Sequence, residues 1–247
     1  MDENKTIYET QSKFDIRPLL LVVGLIVAEY IVLIALYAAF GINLGENREM
    51  SIYDSAFFLV SKIIPLLIAI IFTRKRFKEC GKKVFSNIGK SLLVIVICFL
   101  VFYMFNLATS YYQTYMDKLF NIGEATNQEG IYAYFNASKT SANYIFLFFT
   151  IVIAAPLLEE LTFRELIFSA FKKINWLVPL FVSALIFGLI HMAGFTLEEL
   201  VYFPIYFLPG LCLGLIYHYS GNNFLITFSI HMLNNLIAFV SILYSIS

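Results

Sequence analysis

The sequence predicts an all-α fold: a polytopic membrane bundle of seven to eight transmembrane helices. Three observations carry that expectation. Of its 247 residues, 60% are hydrophobic and 14% are charged. An ordinary soluble domain runs at roughly 45–50% apolar and about 25% charged. The mean hydropathy is +0.79, too apolar for a soluble fold of this length to stay in solution. The apolar residues also collect into runs of about 20, the length that crosses a bilayer as a helix. Without water in the hydrocarbon core, a helix satisfies its backbone within one segment.

The expected spans are 18–40, 55–73, 91–108, 143–163, 176–193, 199–219 and 224–244, with an eighth if one is split. Residues 1–17 carry Asp2, Glu3, Glu9 and Asp15 beside Lys5, Lys13 and Arg17, and the apolar run behind them exceeds an h-region. They read as the approach to a retained first span rather than a signal peptide. Between spans two and three lie Arg74, Lys75, Arg76, Lys78, Lys82, Lys83 and Lys90 against Glu79 alone. The positive-inside rule places that connection, and with it the N-terminus, in the cytoplasm. Lys172 and Lys173 fall on the same side. The connections 41–54 and 109–142 then lie outside, as does the C-terminus after seven spans. Tyr111, Tyr112, Tyr115, Tyr132 and Tyr134 in the long connection favour headgroup depth, so interfacial helix is expected there. No repeat or linker divides the chain, and residues 1–247 read as a single integral-membrane domain. Net charge is zero and the pI is about 6.8, so no nucleic-acid footprint is visible. Cys80, Cys98 and Cys212 show no paired spacing that would suggest a disulfide framework or structural zinc.

Three polar patterns interrupt the apolar runs. They are Glu159-Glu160 with Arg164, Phe187 with His191, and His231 with Asn235. Ionisable side chains at bilayer depth are costly and usually face a bundle interior or a wet cavity. Glu160 and Arg164, at i and i+4, share a helical face and can pair. Glu159 is rotated by about 100° and is free to point elsewhere. His231 and Asn235 share a face in the same way. Glu159 and His191 each lie about 21–22 Å along their helices from a hairpin near 173–176. His231 lies about 14 Å from its own turn at 220–222, roughly two turns shallower. Pro156, one turn before the glutamates, is expected to distort its helix.

Each pattern alone also fits a structural ion pair or an interhelical hydrogen bond. Together they form a set able to activate water. A carboxylate in low-dielectric surroundings suits a general base, and an asparagine amide suits an oxyanion. Glu159, His191 and His231 could alternatively hold a divalent metal such as zinc, although no HExxH motif is present.

The runs Pro156–Arg164, Ser183–His191 and Ser220-Gly221-Asn222 through His231 and Asn235 resemble the CPBP family, the CAAX-processing and bacteriocin-processing (Abi) proteases. The resemblance covers about 143–244. It implies an intramembrane endopeptidase of the cell membrane, bacterial by its Phe, Ile, Tyr, Lys and Asn content, acting on a peptide or membrane-protein segment. It further implies that Glu159 activates the water with His191 beside it, that His231 and Asn235 attend the oxyanion or water, and that Glu160 and Arg164 support them. Both metalloprotease and metal-free glutamate-type readings of this family exist. Glu165 departs from the small residue many members carry after the arginine. A non-catalytic immunity or scaffold protein with the same fold is the alternative. A transporter is disfavoured because the polar residues crowd into one half without a repeat.

Overall fold

The computed structural model describes residues 14–42, 51–120, 126–137, 140–192 and 194–246. Among them eight helices follow in order: α1 (Ile16–Ala39), α2 (Ile52–Ser86), α3 (Ile88–Phe120), α4 (Thr126–Ala137), α5 (Ser141–Ala170), α6 (Leu177–Ile190), α7 (Leu197–Tyr219) and α8 (Phe224–Ile246). Six of them, α1, α2, α3, α5, α7 and α8, are long and apolar enough to cross a membrane, and α6 is a shorter apolar helix. The chain is a multi-pass helical membrane protein, and among the described residues it has no strand.

Local chemistry explains most helix limits. Asp15 caps α1 by accepting from the Arg17 amide at 3.1 Å, and the Arg17 guanidinium bonds its carboxylate at 2.7 Å. The side-chain bond from Arg17 chiefly holds the Asp15 carboxyl at about 2, below its usual 3.8. Ser51 and Asp54 form a capping box at the start of α2. Gly221 and Asn222 turn the chain from α7 into α8 with positive φ, 74° and 55°, a conformation open to glycine and tolerated by asparagine.

Three helix ends run past the sequence expectation, that of span four reaching Ala170. The helix of span two runs on to Ser86 and that of span three to Phe120. The basic residues 74–83 therefore lie on a continuing helix rather than a loop. Lys, Arg and Glu are good helix formers, and nothing in 74–86 stops the helix before Asn87. At ~1.5 Å per residue, α2 and α3 each extend about 50 Å, well past a hydrocarbon core of about 30 Å. In the tyrosine-rich connection, residues 126–137 form α4, while part of that stretch, the loop segment 43–50 and the sequence before Phe14 lie outside the described residues.

The helices pack with apolar faces to lipid and a second apolar layer inside. Leu158, Leu161, Phe163, Ile167 and Phe187 build one core around α5. Helices α6 and α7 approach closely because glycine lines their contact. A Cβ on Gly188 would meet the Phe203 ring at 2.6 Å, and one on Gly210 would meet Phe187 at 3.1 Å.

Candidate active site

Helix α5 carries the glutamates, and it is not uniformly wound. Residues Phe148–Ala154 and Glu160–Leu166 are π-helical, a winding that recurs at functional sites. The first π segment ends just before Pro156, which lacks the N–H needed to continue the ladder. The second begins at Glu160 itself. Glu159 and Glu160 thus sit at the boundary between two windings.

Both glutamates address one imidazole. His231 Nδ1 lies 3.0 Å from Glu160 Oε1, and His231 Nε2 lies 3.7 Å from Glu159 Oε2. The rotation of about 100° between neighbouring residues is taken up by the width of the ring. Glu160 is fully buried and makes an ion pair with the equally buried Arg164, Oε2 to Nε 3.3 Å. Arg164 also reaches the Ser183 hydroxyl at 3.5 Å and the Gly210 carbonyl at 3.4 Å, and lies over the Phe187 ring at 5.2 Å. Two charges placed this deep are costly unless paired. Arg164 therefore fixes Glu160, and Glu160 fixes His231.

The same logic sets the ring tautomers. An Nδ1–H facing the Glu160 carboxylate leaves His231 Nε2 as the nitrogen toward Glu159. His191 ends α6, and its Nδ1 donates to the Phe187 carbonyl at 2.7 Å. Its ring stacks on Tyr206 at 5.1 Å. Its Nε2 is likewise left to the interior. Asn235 donates to the Ile151 carbonyl at 2.9 Å, a group in the first π segment. Asn234, its neighbour, accepts from Asn106 of α3 at 2.6 Å.

Glu159, His191, His231 and Asn235 all line one cavity of about 440 Å³. Glu160 and Arg164 stand behind its wall. The depth mismatch of His231 is closed by the turn at 220–223, which is inset. Arg76 of α2 bonds Glu165 at 2.7 Å and the Asn222 carbonyl at 2.7 Å, while the Tyr217 hydroxyl donates to Glu165 at 3.0 Å. This ties the turn to the level of Glu165 instead of the end of α5. From there Glu159 is about 9 Å along α5, and His231 about 10 Å along α8 from Phe224. Glu165, the departure in the motif, is therefore a packing partner of that turn.

Two charged cavity residues lie outside the three sequence patterns. Glu29 of α1 and Lys62 of α2 form an ion pair on its wall. Each is the one Asp, Glu, Lys or Arg in its apolar run, 18–40 or 55–73. That isolation was the available signal, and spacing rules could not use it because the partners sit on different helices.

Imidazoles with Nδ1 occupied by a carboxylate or carbonyl are suited to bind metal through Nε2. Yet among the described residues no three His, Cys, Asp or Glu side chains are arranged to hold one ion.

Comparison with known proteins adds an independent line. Residues 141–237 match the family model described as type II CAAX prenyl endopeptidase Rce1-like. An uncharacterized protein of Mycoplasma capricolum subsp. capricolum is 30% identical over 208 residues, which is 83% of this chain and 60% of that protein. The chain thus spans about 60% of the length of that relative. No solved structure matches it.

Proposed function

We propose that this chain, whose residues 141–237 match the Rce1-like family model, is an intramembrane endopeptidase of the CPBP family that uses Glu159 to activate water. The observation that carries the reading is the convergence of Glu159, His191, His231 and Asn235 on one cavity, with Glu160 and Arg164 as a fully buried pair behind it.

The gap of 3.7 Å between Glu159 Oε2 and His231 Nε2 is the kind of polar separation a water bridges. Such a water gives one hydrogen to the carboxylate and the other to an imidazole Nε2, which aims its lone pair at the substrate carbonyl. Glu159 takes the proton as the water oxygen forms the C–O bond. When the C–N bond breaks, the nitrogen leaves with that proton, and the products are a carboxylic acid and an amine. Asn235 uses one hydrogen of Nδ2 on Ile151 and has a second to offer the tetrahedral oxyanion. Glu160 holds His231 in the required tautomer, and Arg164 holds Glu160 in place. The substrate is a peptide or membrane-protein segment presented from the bilayer, and the chain resides in a bacterial cytoplasmic membrane.

Wild type and Glu159→Ala, purified in detergent and incubated with a membrane-peptide library read by mass spectrometry, test this. Wild type is expected to cleave, and the variant to be slower by about 10²–10⁴-fold, the usual contribution of a general base. Equal cleavage by both removes Glu159 from the chemistry. No cleavage by either folded protein favours a binding or immunity role. A chelator arm tests metal use: loss of wild-type cleavage with chelator, restored by zinc, would assign a metal to the site.

A further inference from the structure

The Glu29–Lys62 pair has no part in the chemistry above, yet it faces the same cavity. Lys62 is the one Lys or Arg among the described residues that lines it. The two side chains keep 17% and 21% exposure, so the pair looks into the chamber instead of being sealed between helices. A pair serving packing alone gains little, since apolar residues of similar volume do as well or better. Ionisable groups at this depth usually mark a path or a binding site.

Lys62 also has capacity to spare. An ammonium has three N–H donors. Among the described residues it meets Glu29 and, at 5.7 Å, the face of Phe58. Any carboxylate entering the cavity meets the acids Glu29 and Glu159 and finds one ammonium to offset them. Glu29, already seated on that ammonium, occupies the place such a carboxylate would take.

We propose that Lys62 is a specificity-determining residue that binds a carboxylate of the peptide substrate, and that Glu29 holds this place in the free protein. The inference rests on the peptidase reading for the word substrate, but the carboxylate site itself can be measured by binding alone. A chain-terminal carboxylate and an Asp or Glu side chain share the chemistry, and the probes separate them.

Glu159→Gln protein in detergent, which cannot consume a probe through Glu159, is titrated with three N-dansyl peptides followed by fluorescence. These are Ala-Phe-Leu-Val-Ile-Ala with a free acid end, the same peptide amidated, and the amidated peptide with one internal Glu. The free acid or the Glu-containing amide is expected to bind at least about tenfold more tightly than the plain amide, the scale of one charged hydrogen bond. Whichever does so identifies the source. Adding Lys62→Gln is expected to abolish the preference, Lys62→Arg to keep it, and Glu29→Gln to widen it. The opposite signs of the last variant and Lys62→Gln are the signature, because a merely structural pair would be weakened by losing either partner.

Equal binding of all three peptides, or no binding of any, overturns the proposal. So does a preference that survives Lys62→Gln, or carboxylate binding that falls in Glu29→Gln. Cleavage by the Glu159-containing protein is scored separately. A Lys62-dependent preference without cleavage keeps the site and removes the peptidase reading.

Discussion

Glu159 and Glu160 are identical in chemistry and adjacent in sequence, and their surroundings divide their roles. Glu159 lines the cavity and stands 3.7 Å from His231, close enough for a water beside the pair to bridge them, whereas Glu160 is sealed between Arg164 and the other ring nitrogen. Stability and activity should therefore separate. Glu160→Ala leaves Arg164 buried without its partner and is expected to cost about 3–5 kcal/mol of stability, read as a loss of thermal midpoint in detergent. Glu159→Gln is expected to leave that midpoint nearly unchanged while slowing cleavage by about 10²–10⁴-fold. A similar fall for both would mean that neither residue is free for chemistry. The motif residues could be read from the sequence because charge inside an apolar run has few explanations. Glu29 and Lys62 carried the same signal singly. Their pairing across 33 positions is a tertiary fact that no periodicity contains.

Helix positions were legible where apolar runs were bounded by turns, as with Phe224 at the start of α8. They were less legible where a helix outlasts its apolar stretch, as α2 does through Arg74 to Ser86. The winding of α5 was only partly foreseeable. Pro156 announced a distortion, but the second π segment at Glu160–Leu166 contains no proline or glycine. It is held by tertiary bonds from Arg164, Glu165 and their partners. The inset of the 220–223 turn, which brings His231 level with Glu159, likewise depends on Arg76 from a distant helix. At this scale the α6–α7 contact is the sensitive one. Gly188→Val places carbon where the Phe203 ring lies, and overpacking of this kind costs about 1–3 kcal/mol. The expected outcome is a lowered thermal midpoint and reduced cleavage, because His191 sits three residues beyond. A variant as stable and active as wild type would show that Phe203 swings away freely.

Across the whole molecule, the basic residues from Arg74 to Lys83 and the pair Lys172–Lys173 lie at the same end of the bundle as the 220–223 turn. Arg76 and Lys83 both bond carbonyls of that turn. We propose, on the positive-inside rule, that this end faces the cytoplasm. A Lys83→Cys protein, with Cys80, Cys98 and Cys212 replaced by alanine, is expected to resist a membrane-impermeant maleimide in intact cells and to react once the membrane is opened. Labelling in intact cells would invert the topology. Fold class was legible because bilayer solvation constrains composition so strongly. Which helices surround the cavity was not, because the lipid-facing and cavity-facing sides of such helices differ by only a few polar residues.

Helix α6 has 14 residues and so measures about 21 Å, against about 30 Å of hydrocarbon. Its outer side exposes Phe181, Leu185 and Leu189, so acyl chains that follow it along its length find it too short. A bilayer answers such mismatch by thinning locally. The thinning falls where α6 ends, at His191. We propose that headgroups and their water are thereby drawn toward the chamber that His191 lines, making the membrane part of the route by which water reaches it.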